Sequence, residues 1–197
     1  MAKKIGPNKE NLEATRKNFL QIASEEFASK GYYDTSTAVI VEKSGMARGS
    51  LYYHFGDKKG LFQAVYEQLM YQIKETIRVE IETTKEARQA LINACLAFLD
   101  VCTQSSTRRI IIDVHTALTY PERIAVLQKT LLSELRVLID NARAAGYFKQ
   151  YDPQSLMIII FSMISEGGRS FEISSDVKKS RELLGRDFVL FMERASA

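Results

Sequence analysis

Residues 46–62 read MARGSLYYHFGDKKGLF, and the way this stretch folds decides how the rest of the chain is read. Leu51 and Phe55 stand four apart, so a helix over about Ala47 to His54 carries both on one face. Gly45 breaks the chain just before it. Upstream, a second short helix over about Thr37 to Lys43 has Thr35 and Ser36 as available N-caps. Downstream, Asp57 reads as the N-cap of a long fourth helix that carries Leu61, Phe62, Val65, Leu69 and Ile73 inward. A first helix, about Asn11 to Ser29, shows the stripe Leu12, Phe19, Leu20, Ala23 and Phe27 and stops at Gly31. Two short helices around a glycine turn, backed by a longer one, form the pattern of a helix-turn-helix. Ile40 and Met46 complete its small core.

With Leu51 and Phe55 facing inward, Arg48, Gly49, Tyr52 and Tyr53 are left on the outer surface of the third helix. These residue types suit the reading of a DNA groove. Arginine offers two donors to guanine O6 and N7, or one strong contact to a phosphate. Glycine permits close backbone approach. The tyrosines pack on sugar or a thymine methyl while their hydroxyls reach phosphate oxygens. His54 is a further phosphate donor, Thr35 and Thr37 sit at a helix start that favours anions, and Lys58 brings a full charge. An ordinary exposed surface or a protein interface would also tolerate these residues.

The chain is 197 residues long, 46% hydrophobic and 26% charged, enough for a packed core in one ordinary or two small domains. Residues 1–60 hold ten Lys or Arg against seven Asp or Glu, while residues 61–197 balance. All the excess positive charge therefore lies in the first third, as a nucleic-acid-facing end would show, although a chance excess on an ordinary solvated surface gives the same count. The richest apolar run, Leu156 to Met163, is too short to span a bilayer and contains Ser162. MAKKIGPNKE at the start has no apolar segment, so no signal peptide is expected and a cytoplasmic location is the default. Two cysteines cannot build a disulfide framework.

The segment from Thr15 to Leu69 resembles the TetR family of bacterial transcriptional regulators, through TRKNFLQIASEEFASKGYYDTSTAVIVEKSG and MARGSLYYHFGDKKGLF. GSLYYHF, followed by Lys58 and Leu61-Phe62, is similar to that family's recognition helix and the start of its connecting helix. The resemblance implies a recognition helix over residues 47–54 with Arg48, Gly49, Tyr52, Tyr53 and His54 at the DNA. It implies phosphate grips at Lys58, Thr35 and Thr37, and core roles for Leu51 and Phe55. Val41 and Ser44 stand where the family more often has alanine, which changes the volume behind the turn and removes no DNA-facing group. Further implications are a homodimer, an effector-binding C-terminal domain that weakens operator binding when occupied, and repression as the usual outcome.

Beyond residue 81 the candidate helices are Lys85 to Cys102, Thr107 to Leu118, Glu122 to Ala145, Gln154 to Glu166 and Val177 to Arg194. Leu156, Ile159, Ile160, Met163 and Ile164 make one of them apolar on several sides, so it is either an internal core helix or a dimer face. Leu184, Phe188 and Phe191 share a face of the last helix and are open to the same two readings. The resemblance favours a four-helix bundle between subunits, with Leu156, Ile160, Met163, Leu184 and Phe188 in the interface. Phe98, Cys102, His115 and Met70 are the candidate ligand-lining residues, with Phe62, Tyr66 and Tyr120 in reserve, and plain core packing is the alternative for each. Cys95 and Cys102 read as small buried hydrophobes before a thiol sensor. No metal-ligand cluster, nucleophile elbow or phosphate loop occurs, so no catalytic residue, metal or cofactor is expected.

The expectation is thus an all-α protein. Residues 1–56 form a three-helix helix-turn-helix DNA-binding domain, and residues 57–197 form a helical effector-binding and dimerisation domain. Its partners would be double-stranded operator DNA, a second copy of the chain and a small-molecule effector, with no membrane. Lys3, Lys4 and Lys9 would add phosphate or minor-groove contacts. The alternative is a helical small-molecule-binding or protein-interaction module without specific DNA binding.

Overall fold

Gly31 shapes the first helix. It adopts φ 82° and ψ 172°, a left-handed region open to glycine, and so kinks α1 (Lys9–Asp34) before its last turn. The computed structural model describes residues 9–196. Lys3 and Lys4 lie outside the described residues, as does the side chain of Lys9. After α1 come α2 (Thr37–Ser44), α3 (Arg48–Phe55) and α4 (Lys58–Glu82). The body adds α5 (Ala87–Cys102), α6 (Ser105–Ala117), α7 (Tyr120–Lys129), α8 (Leu131–Ala144), α9 (Pro153–Ser170) and α10 (Val177–Ala195). The fold is all-α, and among the described residues there is no strand.

The small domain is held by aromatic packing. Phe19, Phe27, Ile40, Leu51 and Phe62 are fully buried. Phe19 meets Phe55 edge-on at 6.3 Å, and Phe27 meets Phe62 edge-on at 4.9 Å, joining α1 to α3 and α4. Burial of a phenylalanine side chain contributes roughly 1.5–3 kcal/mol. A charged pin lies beside it: the buried Glu26 carboxylate pairs with Lys30 at 2.8 Å and with Lys43 of α2. Hydrogen bonds from both lysines hold its pKa below the usual carboxylate range. Ser36 caps α2 by accepting from the Ala38 N–H, and Asp57 caps α4 by accepting from the Gly60 N–H at 2.7 Å.

In the body, α5 is the central helix, in contact with α4, α8, α9 and α10. The periodicity expected one helix over Glu122 to Ala145, whereas the chain breaks at Thr130 (φ −121°, ψ −100°) into α7 and α8. Thr130 is fully buried, and its hydroxyl donates to the Val126 carbonyl, satisfying a group that the break leaves free. Gly167 and Gly168, expected to end a helix, instead continue it as α9 runs to Ser170. They serve close packing: a Cβ on Gly168 would stand 2.7 Å from Cys102 Sγ, and one on Gly167 2.6 Å from Leu184 Cδ2.

Besides the packing of α4 on α1 and α3, α6 reaches back to the end of α1 and α7 to the start of α4. The Tyr32 N–H, just past the kink, donates to Asp113 Oδ2 of α6 at 2.7 Å, and Arg109 donates to the Lys30 carbonyl. Lys59 at the start of α4 pairs with Glu122 of α7 at 2.7 Å. Among the described residues, no helix is long and apolar enough to cross a membrane.

Candidate functional site

The third helix presents a surface assembled from four side chains. Leu51 is fully buried beneath it, while Tyr53 is 74% exposed and Tyr52 38%. Arg48, in the first turn, donates to the Tyr52 hydroxyl at 3.2 Å, and its guanidinium carbon stands 5.4 Å from the centre of the Tyr52 ring. The arginine is therefore braced outward before any partner arrives. The same hydrogen bond, with a second from Thr37, lowers the Tyr52 pKa. Gly49 is exposed and a Cβ there would meet nothing within 4 Å. His54 is half-buried beside the Tyr53 ring, 5.2 Å between centres. Ala47 caps α3 without a side-chain hydrogen bond; the Ser50 N–H turns back to the Ala47 carbonyl at 2.9 Å, which leaves the N–H groups of Arg48 and Gly49 to face a phosphate.

One expected phosphate grip, Thr35, is turned inward, and another, Lys58, is held by a local bond in the free protein. Thr35 is buried, and its hydroxyl donates to the Gly31 carbonyl at 2.7 Å and to the Glu26 carbonyl. It closes the end of α1 and, turned inward, does not face DNA. Lys58 is half-buried, with Nζ donating to the Tyr33 carbonyl at 3.0 Å and lying 4.8 Å from the Tyr32 ring centre. Desolvation lowers its pKa. Thr37 stays at the start of α2 beside Tyr52.

The candidate ligand-lining set is divided by the fold. Phe98 lines a slot of about 30 Å³ between α4, α5, α8 and α9. Cys102 is buried against Gly168, Met70 is buried in the α4 core, and His115 is exposed on α6; none of the three lines the slot. Cys95 does line it, although its sequence context reads only as packing.

The candidate dimer residues are also redistributed. Leu156, Ile160 and Phe188 are buried within the chain, because these faces of α9 and α10 turn onto the body. Met163 and Leu184 are half-buried together against Phe188. The apolar residues left exposed are Ile158 and Ile159 on α9 and Leu183, Leu190 and Phe191 on α10. Only Phe191 and Ile159 of these had been singled out by their spacing.

A braced arginine and exposed tyrosines on the second helix of a helix-turn-helix, carried by a larger helical body, define a DNA-binding transcriptional regulator. The pattern described as bacterial regulatory proteins of the tetR family matches residues 19–65, and that of the tetracyclin repressor-like C-terminal domain matches residues 88–194. The chain belongs to the TetR family, whose members are DNA-binding proteins without enzymatic activity. It is 30% identical over 107 residues to the HTH-type transcriptional activator FasR of Mycolicibacterium smegmatis, covering 54% of this chain and 49% of FasR. It is 25% identical over 177 residues to the HTH-type transcriptional regulator RutR of Escherichia coli O157:H7, covering 81% and 76%. The crystal structure of a TetR-family regulator from Pectobacterium atrosepticum superposes with a TM-score of 0.81 at 25% identity, over 97% of this chain and 98% of that one. The chain thus spans about half the length of FasR and most of the other two.

Proposed function

We propose that this protein is a ligand-responsive repressor in the cytoplasm, a homodimer that binds a palindromic operator and is released from it by a small-molecule effector. Residues 1–56 are the reading head and residues 57–197 the sensing and dimerising body. The observation that carries this reading is α3 itself, with Leu51 buried behind it and Arg48 braced by Tyr52 in front. Arg48 and Gly49 address base edges, Tyr52 and Tyr53 the groove wall, and Thr37, His54 and Lys58 the phosphates. Two heads on a twofold axis reach successive turns of one DNA face, about 34 Å apart or a larger whole number of turns. An effector that prefers the arrangement with misaligned heads lowers operator affinity by a coupling of about 1–3 kcal/mol. The bond from the Tyr32 N–H to Asp113 joins head and body along that route, and the Lys59–Glu122 pair ties the start of α4 to α7.

Selection of bound fragments from genomic DNA by the purified protein tests the reading; an enriched inverted repeat is expected. Recovery of fragments without a shared sequence would instead favour a helical binding module. In vitro transcription from the enriched site tests the sign, since a rise in transcript on adding protein would make the chain an activator. Lys58→Ala is expected to weaken binding to enriched and random duplexes alike and to flatten the dependence of log K on log[salt] by about one contact. A loss confined to the enriched site would assign Lys58 to base reading.

The exposed row of Ile158, Ile159, Leu183, Leu190 and Phe191 supports the homodimer, since two such helix pairs bury one another as a four-helix bundle. Ile159→Asp combined with Phe191→Asp should halve the mass measured by light scattering and leave the helical content intact. An unchanged mass would place the dimer contact elsewhere.

A further inference from the structure

Arg48 and Tyr52 together form a surface of hydrogen-bond donors. Arg48 gives one Nη2 N–H to the Tyr52 hydroxyl at 3.2 Å, and among the described residues its other partner is the Tyr52 ring. A guanidinium carries five N–H groups and no acceptor, so an edge with two parallel donors stays open. The Tyr52 hydroxyl accepts from Arg48 and from Thr37 of α2, which occupies both of its lone pairs. What it still offers is its own proton. Helix α3 itself carries no acidic residue to neutralise the arginine. Gly49 is exposed with open space above it, so no neighbouring side chain holds the guanidinium away from a base.

We propose that this braced pair reads keto bases, Arg48 a guanine and Tyr52 a guanine or thymine beside it, and that Thr37 sets the second preference by locking the Tyr52 hydroxyl as a donor. The proposal rests on the DNA-binding reading above and names the bases addressed. In the major groove, guanine sets two acceptors side by side, N7 and O6, whereas adenine carries an amino donor in place of the second. Two parallel donors in one plane therefore match guanine and oppose adenine. At the neighbouring position the Tyr52 proton meets an acceptor in guanine O6 or thymine O4, and a competing donor in adenine N6 or cytosine N4.

A hydroxyl free to rotate takes either role and discriminates poorly between the two kinds of base. Donation from Arg48 on one side and Thr37 on the other removes that freedom. Thr37 thus acts through Tyr52, from outside the reading helix, as a positioning residue. Its backbone N–H, in the first turn of α2, stays available to a phosphate.

Selection from a pool of randomised duplexes, run with the full-length protein, Arg48→Ala and Thr37→Val, tests the proposal. The unaltered protein is expected to enrich a guanine that Arg48→Ala no longer requires. Beside it, guanine or thymine should exceed adenine or cytosine at least about threefold. Thr37→Val should keep the first guanine and lose most of the preference at its neighbour, because one lone pair of Tyr52 is released. In the enriched duplex, 7-deazaguanine at the Arg48 position removes N7 and should weaken binding about 3- to 10-fold at fixed salt. The same replacement should cost nothing further in Arg48→Ala. Inosine there keeps N7 and O6 and should bind as guanine does.

Undiminished binding to the 7-deazaguanine duplex overturns the proposal, as does a neighbour position that shows no keto preference or keeps it in Thr37→Val. An equal weakening of every duplex in Thr37→Val also overturns it and makes Thr37 a phosphate contact alone. An enriched inverted repeat with any of these results keeps the regulator reading and loses this one. Recovery of duplexes without a shared sequence overturns both.

Discussion

Replacing Arg48 by alanine is expected to relax the discrimination between the operator and random DNA by about 1–3 kcal/mol, or roughly 5- to 150-fold. The size follows from geometry. Arg48 stands in the first turn of the outward helix, and the Tyr52 hydroxyl and ring hold its guanidinium at 3.2 Å and 5.4 Å respectively. A side chain braced in this way loses less rotamer freedom on forming a bidentate contact than a free one does. Truncation therefore removes both the contact and the preorganisation. Tyr52→Phe should remove the hydroxyl brace alone and have a smaller effect in the same direction. Competition between the enriched duplex and a scrambled one at fixed salt measures both. An equal loss on the two duplexes would reduce Arg48 to a phosphate contact.

Gly60→Ala, at the junction of α3 with α4, should be the most damaging single substitution for the head. A Cβ at this position would lie 2.0 Å from the Phe55 carbonyl oxygen, a backbone atom that cannot swing aside. The Gly60 N–H also donates to the Asp57 cap, so moving the start of α4 breaks that bond as well. The expected cost is about 3 kcal/mol, the upper part of the usual range for overpacking. Because Phe55 ends α3, the displacement passes directly to the reading surface. Urea unfolding and amide exchange should show residues 19–65 opening first, with binding to every duplex reduced. Gly49→Ala is the matching control, since its Cβ meets nothing within 4 Å. It should stabilise α3 by about 0.5–1 kcal/mol through lost chain entropy, and weaken DNA binding only where the duplex approaches the backbone. Native stability in Gly60→Ala would mean that the turn from Phe55 to Asp57 relaxes independently of the core.

The head was legible because its determinants are local. Gly45 and Asp57 punctuate it, Ser36 caps α2, and the four-residue spacing of Leu51 and Phe55 sets which side of α3 is hidden. Misreadings began wherever a residue's role depends on something distant in the chain. Thr35 looks like a helix cap facing solvent, and its hydroxyl is instead taken by the Glu26 and Gly31 carbonyls of α1. Thr130 is neither glycine nor proline, so nothing in the pattern marks the break between α7 and α8. Gly167 and Gly168 look like breakers and act as places where α9 approaches α5 and α10.

The apolar face of α9 shows the limit most clearly. A helix apolar on several sides must be covered more than once, and its periodicity does not say which side its own body takes. Packing on α5 and α8 takes Leu156 and Ile160, leaving Ile158 and Ile159 outward. The slot behaves likewise. Phe98, Cys95 and Phe161 are ordinary core residues in one dimension, and become walls of one space only when four helices meet. From the chain of residues alone came the all-α class, the helix-turn-helix and its outward arginine and tyrosines, because helix period, caps and turns act over a few residues. The buried face of each body helix, the position of the cavity and the partners of each charge were decided by the tertiary structure, because they depend on neighbours tens of residues away.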